Sequence, residues 1–107
     1  MLTHLTSRWG LLVMVALEPR PLRFYELRTL IEGISEKMLS QTLRTLVRDG
    51  LLSREVLPSV PPSVRYALTP LGRGAAEPLV ATLAWVRTNA LTVLAAQEEH
   101  DSAAAGA

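Results

Sequence analysis

The stretch ISEKMLSQTLRTLVRDGLL, residues 34–52, constrains this chain more than any other, because its two ends and both of its faces are legible from residue type alone. At about 100° per residue, Leu39, Leu43, Leu46 and Val47 fall within an arc of about 100°, which predicts a helix burying that side. Ser35 is suited to cap the helix by accepting a bond from a free first-turn amide, with Glu36 favourably placed near the positive end. Gly50 predicts its stop, and Leu51 supplies the apolar residue that often follows a glycine cap. On the opposite side Lys37, Gln41, Arg44 and Arg48 cluster within about 60°. Surface helices are ordinarily polar outside, so solvation alone accounts for many such faces. This stripe, however, holds no carboxylate, whereas a merely solvated face usually mixes signs. Arg and Lys donate to guanine edges and Gln pairs with adenine in a DNA major groove.

The neighbouring segments give that helix a context. Residues 5–17, LTSRWGLLVMVAL, predict a buried helix with Thr6 or Ser7 as its cap and Trp9 as a packing residue. EPRP at 18–21 breaks it, since proline removes a donor and biases the preceding residue away from helix. FYELRTLI then predicts a short helix with Phe24, Leu27, Leu30 and Ile31 on one side. Gly33 suits the left-handed turn between two helices, giving helix, turn, helix. From Ser53 onward Val56, Val64, Tyr66 and Leu68 favour strands around a proline-rich connection, which predicts a two-stranded hairpin. Thr69 and Pro70 open a long helix to about Glu99, in which Pro78 predicts a kink or restart. The expected organisation is residues 1–69 as one compact unit, 70–99 as a C-terminal helix packed with it, and 100–107 as a disordered tail.

Composition narrows the function. The 107 residues are 49% hydrophobic and 20% charged, enough for one core, and contain no cysteine, which removes disulfides, thiolate metal sites and thiol sensing. Lys and Arg outnumber Asp and Glu by ten to six over residues 1–76, and are outnumbered four to one over residues 77–107. A basic body with an acidic tail suits nucleic-acid binding by one face. The longest strongly apolar run, Leu11 to Leu17, is short for a bilayer span, and no signal-peptide pattern follows it, so a cytoplasmic location without membrane contact is expected. His4 and His100 lack partners at metal-ligand spacing, and no phosphate loop or nucleophile motif occurs. Neither metal, cofactor nor catalysis is expected.

The pieces RWGLLVMVAL at 8–17, RFYELR at 23–28, GISEKMLSQTLRTLVRDGLL at 33–52 and VPPSVRYALTPLG at 60–72 occur in an order that resembles the HxlR-type family of winged-helix regulators, related in architecture to the MarR group. The resemblance implies a mainly α fold with a small β-hairpin: a winged helix-turn-helix followed by a long dimerisation helix. It further implies a bacterial or archaeal regulator, expected to be a repressor, that binds double-stranded operator DNA as a homodimer. The helix from Ser35 to Asp49 would enter the major groove, with Lys37, Gln41 and Arg44 as base readers. Arg23, Tyr25, Arg28, Ser35, Ser40 and Arg48 are the expected phosphate or positioning contacts. Ser63 and Arg65 occupy wing positions that are usually basic and acidic in the family, so Arg65 is the candidate replacement for the wing charge.

Leu79, Leu83, Trp85, Val86, Leu91 and Leu94 exceed what one small core can cover, and they are the expected dimer interface. Two recognition helices about 34 Å apart would read an inverted repeat. A small-molecule effector between the DNA-binding body and the dimer helices is left open, with no residues assigned to it. The competing expectation is a winged-helix protein-interaction module without useful DNA affinity, which the small net charge and altered wing permit.

Overall fold

The computed structural model describes residues 2–106. The chain runs α1 (Leu2–Thr6), α2 (Arg8–Ala16), β1 (Leu22–Arg23), α3 (Phe24–Leu30), α4 (Glu36–Arg48), β2 (Leu52–Leu57), β3 (Ser63–Leu68) and α5 (Pro70–Gly106). This is the winged helix-turn-helix order, mostly helical with a small sheet and a long C-terminal helix.

In the body, ahead of α5, three local features differ from expectation. Ser7 caps α2 as expected, with extended backbone geometry and its hydroxyl accepting from Gly10 N at 3.1 Å, but a separate short helix, α1, precedes it. The hairpin gains a third strand: β1 pairs antiparallel with β3, giving the order β1-β3-β2. A two-residue strand beside Pro21 has too little alternation to announce itself, yet Leu22 is fully buried there. Leu30, expected inward, is 62% exposed, because α3 ends at that residue and its buried face is carried by Leu27 and Ile31.

The turn between α3 and α4 and the stop of α4 both use left-handed glycines, Gly33 at φ 87° and Gly50 at φ 77°. At the second, Leu51 N donates to Leu46 O and Gly50 N to Val47 O, each at 3.0 Å, so the last carbonyls of α4 are satisfied. Leu51 is thereby turned into the core, with 1% of its surface exposed. Thr69 joins this end of α4 to the start of α5. Its hydroxyl donates to Gly50 O at 2.6 Å and accepts from Gly72 N at 3.0 Å, while Thr69 N donates to Leu51 O at 3.1 Å.

The core gathers Val13, Met14 and Leu17 of α2 and its cap, Leu27 and Ile31 of α3 and its cap, and Leu39, Leu43 and Leu46 of α4. The sheet adds Leu22, Leu52 and Tyr66, and α5 adds Ala76. Beyond Leu79, which still packs on this core, α5 leaves the body. At about 1.5 Å per residue its 37 residues extend about 55 Å, which explains a molecule 66 Å long but only 26 and 22 Å across. Pro78 lies inside the helix without dividing it, and the helix continues to Gly106 where a disordered tail from His100 is expected. Pro78 costs one backbone donor, while the alanine-rich end has high intrinsic helix propensity. By length and composition alone α5 would also suffice to cross a bilayer.

Candidate nucleic-acid interface

α4 presents its faces as the spacing predicts. Leu39, Leu43 and Leu46 are buried and Val47 is half-buried, whereas Lys37, Gln41, Arg44 and Arg48 are exposed. Ser35 caps the helix, its hydroxyl accepting from Met38 N at 3.0 Å.

The two carboxylates at the ends of α4 are both engaged away from the stripe. Glu36 accepts from Arg28 Nη1 at 2.6 Å, and Asp49 shares a 2.5 Å hydrogen bond with His4 Nδ1 of α1. Lys37, Arg44 and Arg48 take part in no hydrogen bond or ion pair among the described residues, so the outward face keeps its positive charge uncompensated. Asp49 and His4 also fasten the short α1 against the end of the helix, a contact that sequence spacing does not reveal across 45 residues.

Shallow clefts flank the stripe on either side. Toward α1, Gln41 shares a cleft of about 180 Å³ with Met38, Thr42, Thr45 and the α1 residues Thr3 and His4. Toward the sheet, Ser40, Arg44 and Val47 border one of about 420 Å³ whose far wall is Arg54, Val64 and Tyr66. The predicted base readers therefore stand on both shoulders of a single exposed ridge.

The positioning residues are arranged less uniformly. Tyr25 is 62% exposed, and Arg23 is exposed at the start of α3, where its backbone N donates to Glu26 Oε1 at 2.9 Å. That backbone bond is the main reason the Glu26 carboxyl lies below its ordinary pKa; slight burial opposes it and the nearby Arg20 assists. Arg28 is held by Glu36, and Ser35 by its capping bond. In the wing, Ser63 accepts from the Ser59 hydroxyl at 3.3 Å, and Arg65 donates to Glu55 Oε2 at 2.7 Å across directly paired strand positions. Arg65 is thus neutralised within the wing, and the unpaired wing cation beside α4 is Arg54. Strand alternation counted from buried Leu52 puts Arg54 on the inner face, a signal present in the sequence but masked until the register is known.

Comparison with known proteins fits this geometry. Residues 4–93 match the HxlR-like helix-turn-helix family model. The chain belongs to that family. The HTH-type transcriptional regulator YtfH of Escherichia coli K12 is 49% identical over 98 residues, covering 92% of this chain and 78% of that relative. The solved structure of the transcriptional regulator ytfH from Salmonella typhimurium superposes with a TM-score of 0.84 at 47% identity, covering 91% of this chain and 87% of that one. A MarR-family regulator from Porphyromonas gingivalis W83 gives a TM-score of 0.74 at 37% identity, with coverage of 81% and 84%. The redox regulator HypR in its reduced form gives 0.81 at 30% identity, with coverage of 88% and 93%. By family this HxlR-like protein is an HTH-type transcriptional regulator and not an enzyme. The 107 residues contain no cysteine.

The predicted interface residues of α5 divide into two groups. Leu79 is half-buried against the protomer's own core and Leu83 is half-buried one turn further along, whereas Trp85, Val86, Leu91 and Leu94 are exposed by 60%, 47%, 81% and 52%.

Proposed function

We propose that this protein is a homodimeric repressor that binds an inverted-repeat operator through α4. Lys37, Gln41 and Arg44 read base edges in the major groove, and Arg48, Arg23, Tyr25 and Ser40 contact or position the phosphate backbone. Arg28 contributes to phosphate binding by exchanging Glu36 for DNA, while Ser35, Ser63 and Arg65 act by holding α4 and the wing in shape. The exposed stripe of α4 supports this reading: it contains no carboxylate, and both nearby carboxylates are hydrogen-bonded to side chains of other elements.

Dimerisation through α5 is supported by the apolar side chains it leaves exposed beyond the body, which need cover in water. Arg87 and Asn89 interrupt that apolar segment, which suits pairing in water with a polar edge better than a lipid-facing span. Two-fold pairing would set two copies of α4 against successive major grooves.

Anisotropy titration of the purified protein against genomic duplexes at increasing salt tests the proposal. Affinity for an operator fragment is expected to fall steeply, with a log–log slope of about −0.9 per neutralised phosphate. Absent or salt-insensitive binding to every fragment would overturn it and favour a protein-interaction module.

A further inference from the structure

We propose that Arg54 is a backbone-phosphate anchor that seats one DNA strand in the cleft between α4 and the wing. The inference rests on the DNA-binding reading above and adds a contact from the opposite wing face to the one bearing Arg65.

The strand register decides which way the wing presents its charge. Arg54 pairs directly with Tyr66, and Glu55 with Arg65. Directly paired residues lie on the same face of a sheet and successive residues alternate, so Leu52, Arg54 and Tyr66 share one face while Glu55 and Arg65 share the other. Leu52 and Tyr66 are buried, which identifies the first face as the one turned toward the body and α4. On the reverse face Arg65 is bound to Glu55. Arg54 therefore carries the free positive charge on the side of the wing that meets the recognition helix.

The cleft it lines suits a phosphodiester. Arg44 and Ser40 approach from α4 and Arg54 from β2, above a floor formed by Phe24, Val47 and Tyr66. No carboxylate lines the cleft, and neither guanidinium is engaged by another group among the described residues. Two uncompensated guanidiniums over an apolar floor attract an anion more strongly than they would in open water. Arg54 comes from the wing strand and not from α4, and it borders the same cleft as Arg44. Its role is accordingly to hold a phosphate while Arg44 reaches the base edge from the ridge.

Full-length wild type, Arg54→Gln and Arg54→Lys should be titrated with an operator fragment and an unrelated duplex at several salt concentrations. Arg54 is exposed, so both variants are expected to fold, and circular dichroism checks this. Arg54→Gln is expected to weaken binding to both duplexes about tenfold and to reduce the log–log salt slope by about one per anchored phosphate, with the preference for operator unchanged. Arg54→Lys restores the slope, because the charge is retained. An Arg54→Gln variant with unaltered affinity and slope, or one with altered operator preference, overturns the anchor while leaving DNA binding intact. Failure of Arg54→Lys to restore the slope overturns it as well. Wild-type protein that binds neither duplex overturns the DNA-binding reading and the anchor together.

Discussion

α4 and α5 dispose of their apolar side chains in opposite ways. α4 buries Leu39, Leu43 and Leu46 within its own protomer and leaves a charged ridge free, whereas α5 buries only Gly72 and Ala76 and carries Trp85, Val86, Leu91, Val93 and Leu94 exposed beyond the body. The first helix is complete as a folded element and incomplete only in charge. The second is incomplete in its packing. One chain thus contains two unmet demands of different kinds, a positive ridge that suits a polyanion and an apolar rod that suits another apolar rod.

The contrast is broken most severely at α5. Replacing both Leu91 and Leu94 by Asp would put four charges into the proposed symmetric pairing and is expected to weaken self-association by more than about a thousandfold, roughly 4 kcal/mol or more. Sedimentation would then show a folded monomer, since neither residue is part of the protomer core. At α4 the matching disruption should act on folding and not on assembly. Leu43→Ala removes a side chain that is 1% exposed and is expected to cost about 2–5 kcal/mol in chemical denaturation. A smaller effect is expected where the two helices are joined: Thr69→Ala loses the cap of α5 and the bond to Gly50 O, lowering stability by about 1–2 kcal/mol.

How far the sequence discloses the fold depends on the range over which each signal acts. The limits of α4, the left-handed Gly33 and Gly50, and the start of α5 at Thr69 and Pro70 are local effects of capping and backbone freedom, and they stand where residue type places them. The strand β1 is set by pairing with β3 some forty residues on, and two residues carry no periodicity that would announce it. The cap at Ser7 is legible, but the α1 ahead of it is not, because five residues are too few to carry a helical period.

The ridge of α4 is legible because helical periodicity alone sorts its faces. The wing is less so: alternation separates Val64 from Arg65, but only the register assigns Glu55 to Arg65 and leaves Arg54 beside Arg44. Likewise, spacing cannot show that Arg28 is already occupied by Glu36, or that His4 reaches Asp49. Charges can be counted in a sequence, but their availability is a property of the folded surface.

If the ridge of α4 reads sequence, Arg44 is the residue at which the reading can be measured. Genomic fragments that co-purify with the protein supply the operator, and wild type and Arg44→Ala can be titrated against it with every base pair substituted in turn. If Arg44 reads guanine, the variant loses discrimination at one base position in each half-site, by about 1–3 kcal/mol, and keeps its preferences elsewhere. An Arg44→Ala protein whose preference is unchanged at every position would mean that the ridge does not read the operator through Arg44.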